Sequence, residues 1–276
     1  NTVIKPTIFN CKNPYYLLLN FITSLRKKRI LKNAHAINVI CENQVLYLKE
    51  NNLTKKPVLN IPPCFYEANA EIVVNNNAQK LFCLAIVGKV EENRKDYETV
   101  YQALLLLGNQ LKNFKLLIIG YAGNSSAKNI LSKFESLQEK FGLNFWHPNE
   151  NSGRVNAEEL IKTLKEVDVL LCPTNEETVY ESQKEFYGSS KSSGNFYDVV
   201  RYQKPAIFPK QIPLPNSLKN CMLSYANEQE LSEILTRLEN DNTLLNQLTE
   251  SIQQLKNTFS EDTIVQKVKK EFALLQ

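Results

Sequence analysis

Three short stretches carry the residue types that can hold an anionic ligand. Gly88-Lys-Val-Glu-Glu-Asn-Arg94-Lys95 follows an apolar run, and Gly120-Tyr-Ala-Gly123 follows another. Tyr187-Gly-Ser-Ser-Lys191-Ser-Ser-Gly194-Asn195 stands immediately before a helical pattern. In the third stretch, backbone N–H groups, three types of polar side chain and one cation lie at a helix start. That combination suits a phosphate or another anion, because helix N-termini present unpaired N–H groups and a positive dipole end. Lys191, Ser192, Ser193, Gly194 and Asn195 are therefore candidate anion ligands, and Lys89 and Arg94 add two cations after the first run. The spacing is not that of a P-loop, and Gly-x-Gly-x-x-Gly is absent, which argues against an NTPase and against a dinucleotide.

Glycine usage sharpens the choice of these loops. The chain has 8 Gly in 276 residues, all at or after Gly88, where roughly 7% is usual. Each glycine is thus expected where the backbone requires one. The other chemistry-bearing residues are few. With His35 and His147 the only histidines, a His-rich metal site is excluded, and no Asp-x-Asp motif occurs. Six scattered cysteines (Cys11, Cys41, Cys64, Cys83, Cys172, Cys221) include no Cys-x-x-Cys pair, so reduced, buried thiols in a cytoplasmic protein are expected.

The elements that must position these loops alternate along the chain. Strands are expected at 36–41, 58–61, 80–87, 114–119, 143–146, 167–172 and 205–208. Helices are expected at 13–33, 42–51, 97–111, 126–141, from 156, and at 195–201, with a wholly helical tail from 227. Asn156-Ala-Glu-Glu159 has the form of a capping box. Strands alternating with helices of ten to fifteen residues mean βα units and a parallel sheet. The fold expected is a Rossmann-like, doubly wound α/β domain over 67–276, preceded in 1–66 by the end of a second Rossmann-like domain. In such sheets ligands bind beyond the carboxyl ends of the strands, where all three loops fall.

Composition sets outer bounds. A formal net charge of +4 is too small for a duplex nucleic-acid binder, and 43% apolar residues supply a core. No stretch is long and apolar enough to span a bilayer. The 13–33 helix is apolar early and ends in Arg26-Lys-Lys-Arg29. It could lie on the inner face of an anionic membrane as a peripheral contact, or pack on its own domain with a solvated basic end, and the latter is the expectation.

The order of these pieces resembles the donor-binding half of GT-B glycosyltransferases, especially the retaining family 4. The resemblance rests on Ala34-His-Ala-Ile-Asn-Val-Ile-Cys-Glu42 with Val58-Leu-Asn-Ile-Pro-Pro63, on Ala85-Ile-Val-Gly88 through Arg94, on 114–120, and on Leu164-Lys-Glu-Val-Asp168 through Pro173-Thr174. It implies that 1–66 closes the acceptor-side domain and forms the hinge. It also implies that the donor diphosphate is bound at Gly88, Lys89, Arg94 and the Lys191 loop, with Lys89 in the place of an Arg and Arg94 in that of a Lys. Glu185-Phe-Tyr187-Gly188 would open the family's two-glutamate signature. The second glutamate is absent, and its place falls on Ser193 or Asp198 depending on the direction of counting.

Donor sugar or base would lie near Gly120, Trp146, His147, Glu185, Tyr187, Gly188 and Asp198. The activity implied is transfer of a sugar from a nucleoside diphosphate sugar to a glycan or lipid-linked acceptor, in cell-surface polysaccharide synthesis, with no metal or other cofactor. No catalytic residue is identified. A nucleotide-sugar epimerase of the same fold and a non-catalytic interaction module stand as alternatives.

Overall fold

Five consecutive residues of one strand, Phe82 to Ile86, are all buried. A run without polar alternation is what a strand covered on both faces requires. In the computed structural model, which describes residues 22, 25–26, 28–66, 81–148, 155–180, 183–273 and 275, this strand is the centre of the molecule. It is β3 (Phe82–Val87), in a six-stranded sheet with β4 (Phe114–Ile119), β5 (Asn144–Trp146), β6 (Val169–Leu171), β9 (Ala206–Pro209) and β10 (Met222–Tyr225). Every pairing is parallel, in the order β10-β9-β6-β3-β4-β5. The chain therefore builds outward from β3 in one direction and then, after β5, in the other. This is the doubly wound order, and its switch point lies between β3 and β6.

Alternate side chains of β3 feed two cores, as the two-residue period of a strand dictates. Phe82, Leu84 and Ile86 pack with α2 (Tyr97–Leu107), α3 (Ser125–Phe141) and α6 (Glu228–Asn240). Cys83 and Ala85 face α5 (Asn195–Tyr202) and α7 (Asn242–Phe259) on the other side. Phe134 anchors the first core: its ring meets Tyr97, Tyr101 and Phe145 at centroid distances of 6.4, 6.1 and 6.0 Å. Of the remaining helices, α4 (Ala157–Lys165) contributes Leu164 to the second core and α8 (Glu261–Ala273) contributes Ile264.

A small parallel pair, β1 (Ile37–Val39) with β2 (Val58–Asn60), brackets α1 (Glu42–Glu50). This unit is tied to the larger one at several points. The Tyr197 hydroxyl donates to Ile40 O, Tyr66 N donates to Phe259 O at 2.8 Å, and Asn43 Nδ2 donates to Pro213 O at 2.9 Å.

The α/β alternation matches the expected order, with three differences. The helix beginning at Tyr97 stops at Leu107 rather than 111, because Gly108 takes φ +52° and a 3-10 turn follows over Gly108–Asn113. The stretch between the strand expected to 172 and the helix expected from 195, for which no element is expected, contains an antiparallel hairpin of β7 (Glu177–Tyr180) and β8 (Gln183–Phe186). Strand β10 was also not expected: four residues at a sheet edge give too little periodicity to read. Of the 13–33 helix, residues 28–33 are helical, while positions before 22 and residues 67–80 lie outside the described residues. Cys41, Cys172 and Cys221 are buried free thiols, Cys64 is a half-buried one and Cys83 is buried; Cys11 lies outside the described residues.

Phe134→Ala removes the ring shared by three aromatic neighbours. It is expected to lower stability by about 3–5 kcal/mol, read as a fall in the denaturant midpoint with the slope unchanged.

Candidate functional site

The crevice at the switch point is closed underneath by backbone hydrogen bonds between the loop after β3 and the loop after β6. Asp96 N donates to Pro173 O at 2.7 Å and Asn175 N to Arg94 O at 3.0 Å. Asn175 Nδ2 reaches Glu92 O at 2.7 Å, and Lys95 pairs with buried Thr174 in an isolated antiparallel bridge. Below them, the Asp168 carboxylate accepts from Cys83 N at 2.8 Å and so adds a step to the β3–β6 pairing. Asp168 of the expected aspartate–apolar–proline segment is thus a strap between strands.

This stitching determines which cation enters the crevice. Asp96 caps α2 by accepting from Thr99 N at 3.0 Å, so the residue before it is held at the helix entry. That residue is Lys95, not the expected Arg94. Its ammonium donates to Lys89 O at 2.9 Å and would lie 3.3 Å from a Cβ placed on Gly88, whose φ is +99°. Burial pulls the Lys95 pKa down to about 8, only partly offset by the nearby Cys172, Glu91 and Asp198, with Arg94 pushing the same way as burial. Asp198 is pushed up to about 6 by its own burial, against the pull of Arg201, a hydrogen bond from Asn195 and Lys95. Lys95 and Asp198 thus lie close enough to feel each other's charge, and buried Cys172 feels both.

Lys89 and Arg94 stand at the rim. Both pair with Glu91, Arg94 through Nε at 3.2 Å. The hydrogen bond from Lys89 is the main cause that lowers the Glu91 carboxyl below its usual range. Both cations are about half exposed, and such surface pairs are weak enough to re-form around an incoming anion. Tyr187 is buried, and its hydroxyl is raised mainly by that burial, with Arg94 opposing and Glu185 and Glu91 reinforcing. It joins the first loop to the third.

In the third loop the expected ligands divide. Lys191 is turned back, its Nζ 3.5 Å from buried Glu185 Oε2 and 5.9 Å from the Tyr187 ring centroid. Gly188 has φ +77° and admits no side chain, since a Cβ would lie 2.7 Å from Pro213 O. Ser192 Oγ donates to Ser193 O at 3.3 Å, Ser193 Oγ to Asn195 Oδ1 at 3.5 Å, and Asn195 Nδ2 to Asp198 Oδ2 at 3.0 Å.

The start of α5 is unusual. Among the helices with a described N-cap, α2, α3, α4, α6 and α7 are each capped by an Asp or Asn side chain. The exceptions are α1, at Cys41, and α5, at Gly194. Both flank the 190–194 loop: Gln44 Nε2 reaches Ser190 O at 3.4 Å, and Ser192 hydrogen-bonds the Cys41 thiol. Gly194 itself has φ −58°, and a Cβ there would meet nothing within 4 Å. Neither backbone nor packing explains a glycine at that position.

On the opposite side of the switch point, Gly120 packs on Gly88 so closely that a Cβ would fall 2.1 Å from Gly88 O. Its carbonyl accepts from His147 Nε2 at 3.0 Å, which fixes the proton on that nitrogen. Half-buried Trp146 ends β5 and packs on the second core. These three form a group on the β4–β5 side, while Lys95 and Asp198 lie on the β6 side. Sequence reasoning passed over Lys95, Cys172, Thr174 and Asn175. The cap signal of Asp96, one residue after Lys95, was the clue to the first.

A doubly wound sheet with a crevice at its switch point, beside a second βαβ unit, is the arrangement of the GT-B fold. Solved structures agree. The chain superposes on Anabaena Alr3699/HepE in complex with UDP (TM-score 0.62, 10% identity, 98% of this chain and 70% of that one). It also superposes on the α,α-trehalose-phosphate synthase (UDP-forming) of Burkholderia xenovorans (0.60, 10%, 94% and 65%). The third is the pneumococcal O-GlcNAc transferase GtfA in complex with UDP and GlcNAc (0.59, 16%, 95% and 48%). The chain thus has the GT-B fold of glycosyltransferases and spans roughly half to 70% of the length of these proteins. No protein-family model and no curated protein sequence matches it.

The glycines separate by role. Gly120→Ala is expected to lower stability by about 1–3 kcal/mol through overpacking, whereas Gly194→Ala should leave the unfolding midpoint within about 0.5 kcal/mol of the parent. Parallel thermal and denaturant melts check both.

Proposed function

We propose that this chain binds a nucleoside diphosphate sugar in the switch-point crevice and takes part in transferring the sugar to an acceptor hydroxyl. The observation that carries the reading is Lys95, held on Lys89 O with Lys89 and Arg94 at the rim, within electrostatic reach of Asp198 in the first turn of α5, a helix that starts at a glycine with no side-chain cap and with nothing described within 4 Å of a Cβ there. A diphosphate fits this set. Its charge would draw the two rim cations from Glu91, relieve the dehydrated Lys95 ammonium, and lie at the positive end of the α5 dipole. Gly194 then has a reason, since a side chain there would stand between the helix end and the phosphate.

The chemistry follows from the leaving group. As the glycosidic bond breaks, negative charge builds on the diphosphate, and fixed cations with a helix N-terminus stabilise it electrostatically. In this reading the charge is met by the chain's own cations without a metal or cofactor, as in the family 4 pattern. Residues 67–276 serve the donor and 1–66 the acceptor side. In this reading Trp146 and His147 pack against the base, and Glu185, Tyr187, Gly188 and Asp198 contact the sugar. A glycan or lipid-linked acceptor, a role in cell-surface polysaccharide synthesis and a site of action at the cytoplasmic face of the membrane complete the proposal. The structures in complex with UDP, and the UDP-forming synthase, make UDP and its sugars the first donors to test.

Calorimetry with UDP, UDP-sugars and other nucleoside diphosphates tests the binding step. Lys95→Ala is expected to weaken the preferred nucleotide roughly tenfold to a hundredfold, the size of a lost charged hydrogen bond. Binding of none of the panel overturns the proposal. Product analysis with a sugar acceptor separates a transferase from an epimerase, and binding without turnover favours the interaction module.

The low Lys95 pKa gives a pH signature. Below about 8 the ammonium is charged and attracts the diphosphate, and above it the charge is lost. Nucleotide affinity should therefore fall as pH rises from 7 to 9 (on the order of tenfold), and that part of the slope should vanish in Lys95→Ala.

A further inference from the structure

Two ion pairs of the β7–β8 hairpin sit in opposite surroundings. Glu177 and Lys184 pair at 2.5 Å on its wet face, both about half exposed. The alternation of side chains along a strand turns Glu185 and its cross-strand neighbour Thr178 to the other face, where they are 4% and 8% exposed. There Lys191 Nζ meets Glu185 Oε2 at 3.5 Å, beside the Tyr187 ring. Backbone bonds hold Lys191 at that place. Its N–H donates to Phe186 O at 2.9 Å, its carbonyl accepts from Gly188 N at 2.8 Å, and Phe186 N donates to Ser190 Oγ at 2.8 Å. With the loop closed in this way, the ammonium is redirected by turning its side chain, not by moving its backbone.

The burial of Glu185 decides which ligand can take Lys191. Surface pairs such as those of Lys89 and Arg94 with Glu91 exchange partners at little cost. Withdrawing the cation from a shielded carboxylate is far less favourable, because a buried charge loses the ion that balances it. A nucleoside diphosphate brings only more negative charge to this corner, so it leaves Lys191 on Glu185. A nucleoside diphosphate sugar carries both halves of an exchange. Its phosphate accepts from the ammonium while its sugar hydroxyls donate to the carboxylate.

We propose, on the basis of nucleotide binding in the crevice, that the Glu185–Lys191 pair lets the site tell the sugar donor from the leaving nucleotide: sugar hydroxyls replace Lys191 on Glu185, and Lys191 then passes to the diphosphate. The sugar-free nucleotide is held by Lys95, Lys89 and Arg94 without Lys191, and so departs more readily than the donor binds.

Calorimetry compares UDP, GDP and ADP with UDP-glucose, UDP-N-acetylglucosamine, GDP-mannose and ADP-glucose. The proteins are the parent chain, Lys191→Met, Glu185→Gln and the double variant. The double variant removes both charges together, which keeps the test valid if a single variant misfolds around an unbalanced buried ion. The parent is expected to bind its preferred sugar nucleotide about tenfold or more tightly than the matching diphosphate, the size of a hydrogen bond to a charged group. The double variant should lose that preference while its diphosphate affinity stays within about twofold of the parent's. Glu185→Gln alone should tighten the diphosphate, since Lys191 is then released to it. An equal loss for both kinds of ligand in the double variant overturns the proposal. If none of these ligands binds the parent, nucleotide binding in the crevice falls as well. Binding in which no sugar nucleotide is preferred leaves the crevice reading intact and overturns this inference alone.

Discussion

The pairing of β3 with β6 is the constraint on which the rest of the molecule depends. These strands are neighbours in the sheet but first and fourth of its six in chain order, so connections leave them toward opposite sides and a crevice opens at their carboxyl ends. The contact is short, with two ladder pairs, Leu84 with Val169 and Ala85 with Leu170. It is lengthened at one end by the Asp168 carboxylate on Cys83 N and at the other by the bonds joining residues 92–96 to 173–175. Because both ends are fixed, the loop after β3 has little freedom, and Lys95 enters the crevice by geometry rather than by attraction.

That placement has an electrostatic cost built into the resting protein. An ammonium and a carboxylate that both lose water are displaced toward neutrality, Lys95 downward and Asp198 upward. Each softens the cost of the other without removing it. A site of this kind gains more from an arriving anion than a fully solvated lysine would, because the ligand restores partners that the fold has taken away. The rim works in the opposite way. Lys89 and Arg94 are already paired with Glu91 in water, so they exchange one partner for another. Lys191 is committed to Glu185 beneath Tyr187, which makes it a brace of the third loop in this conformation.

The sequence was legible where one residue type has one physical meaning. Buried parallel strands announce themselves as unbroken apolar runs, and Asp or Asn before a helical pattern marks a cap, as at Asn156 and Asn227. Glycine was informative because it is scarce: Gly88 needs its positive φ, Gly120 the space against Gly88, and Gly188 both. Reading failed where a partner is distant in sequence. Nothing local says that Glu185 claims Lys191, or that the Arg94–Lys95 pair splits into an exposed rim residue and a half-buried one. The β7–β8 hairpin was missed since its polar strands pair with each other and carry no apolar run.

What the sequence determined by itself is the alternation of strands and helices, hence a doubly wound sheet, and the three loops that end up around its switch point. Those follow from hydrophobic period, caps and glycine, all of which act within a few residues. Which side chains meet in the crevice, which cation is dehydrated, and which helix starts are left uncapped were decided only by the tertiary structure. The reason is physical: burial and pairing are properties of neighbours in space, and here Lys95 and Asp198 become neighbours only after the chain has crossed the sheet and returned.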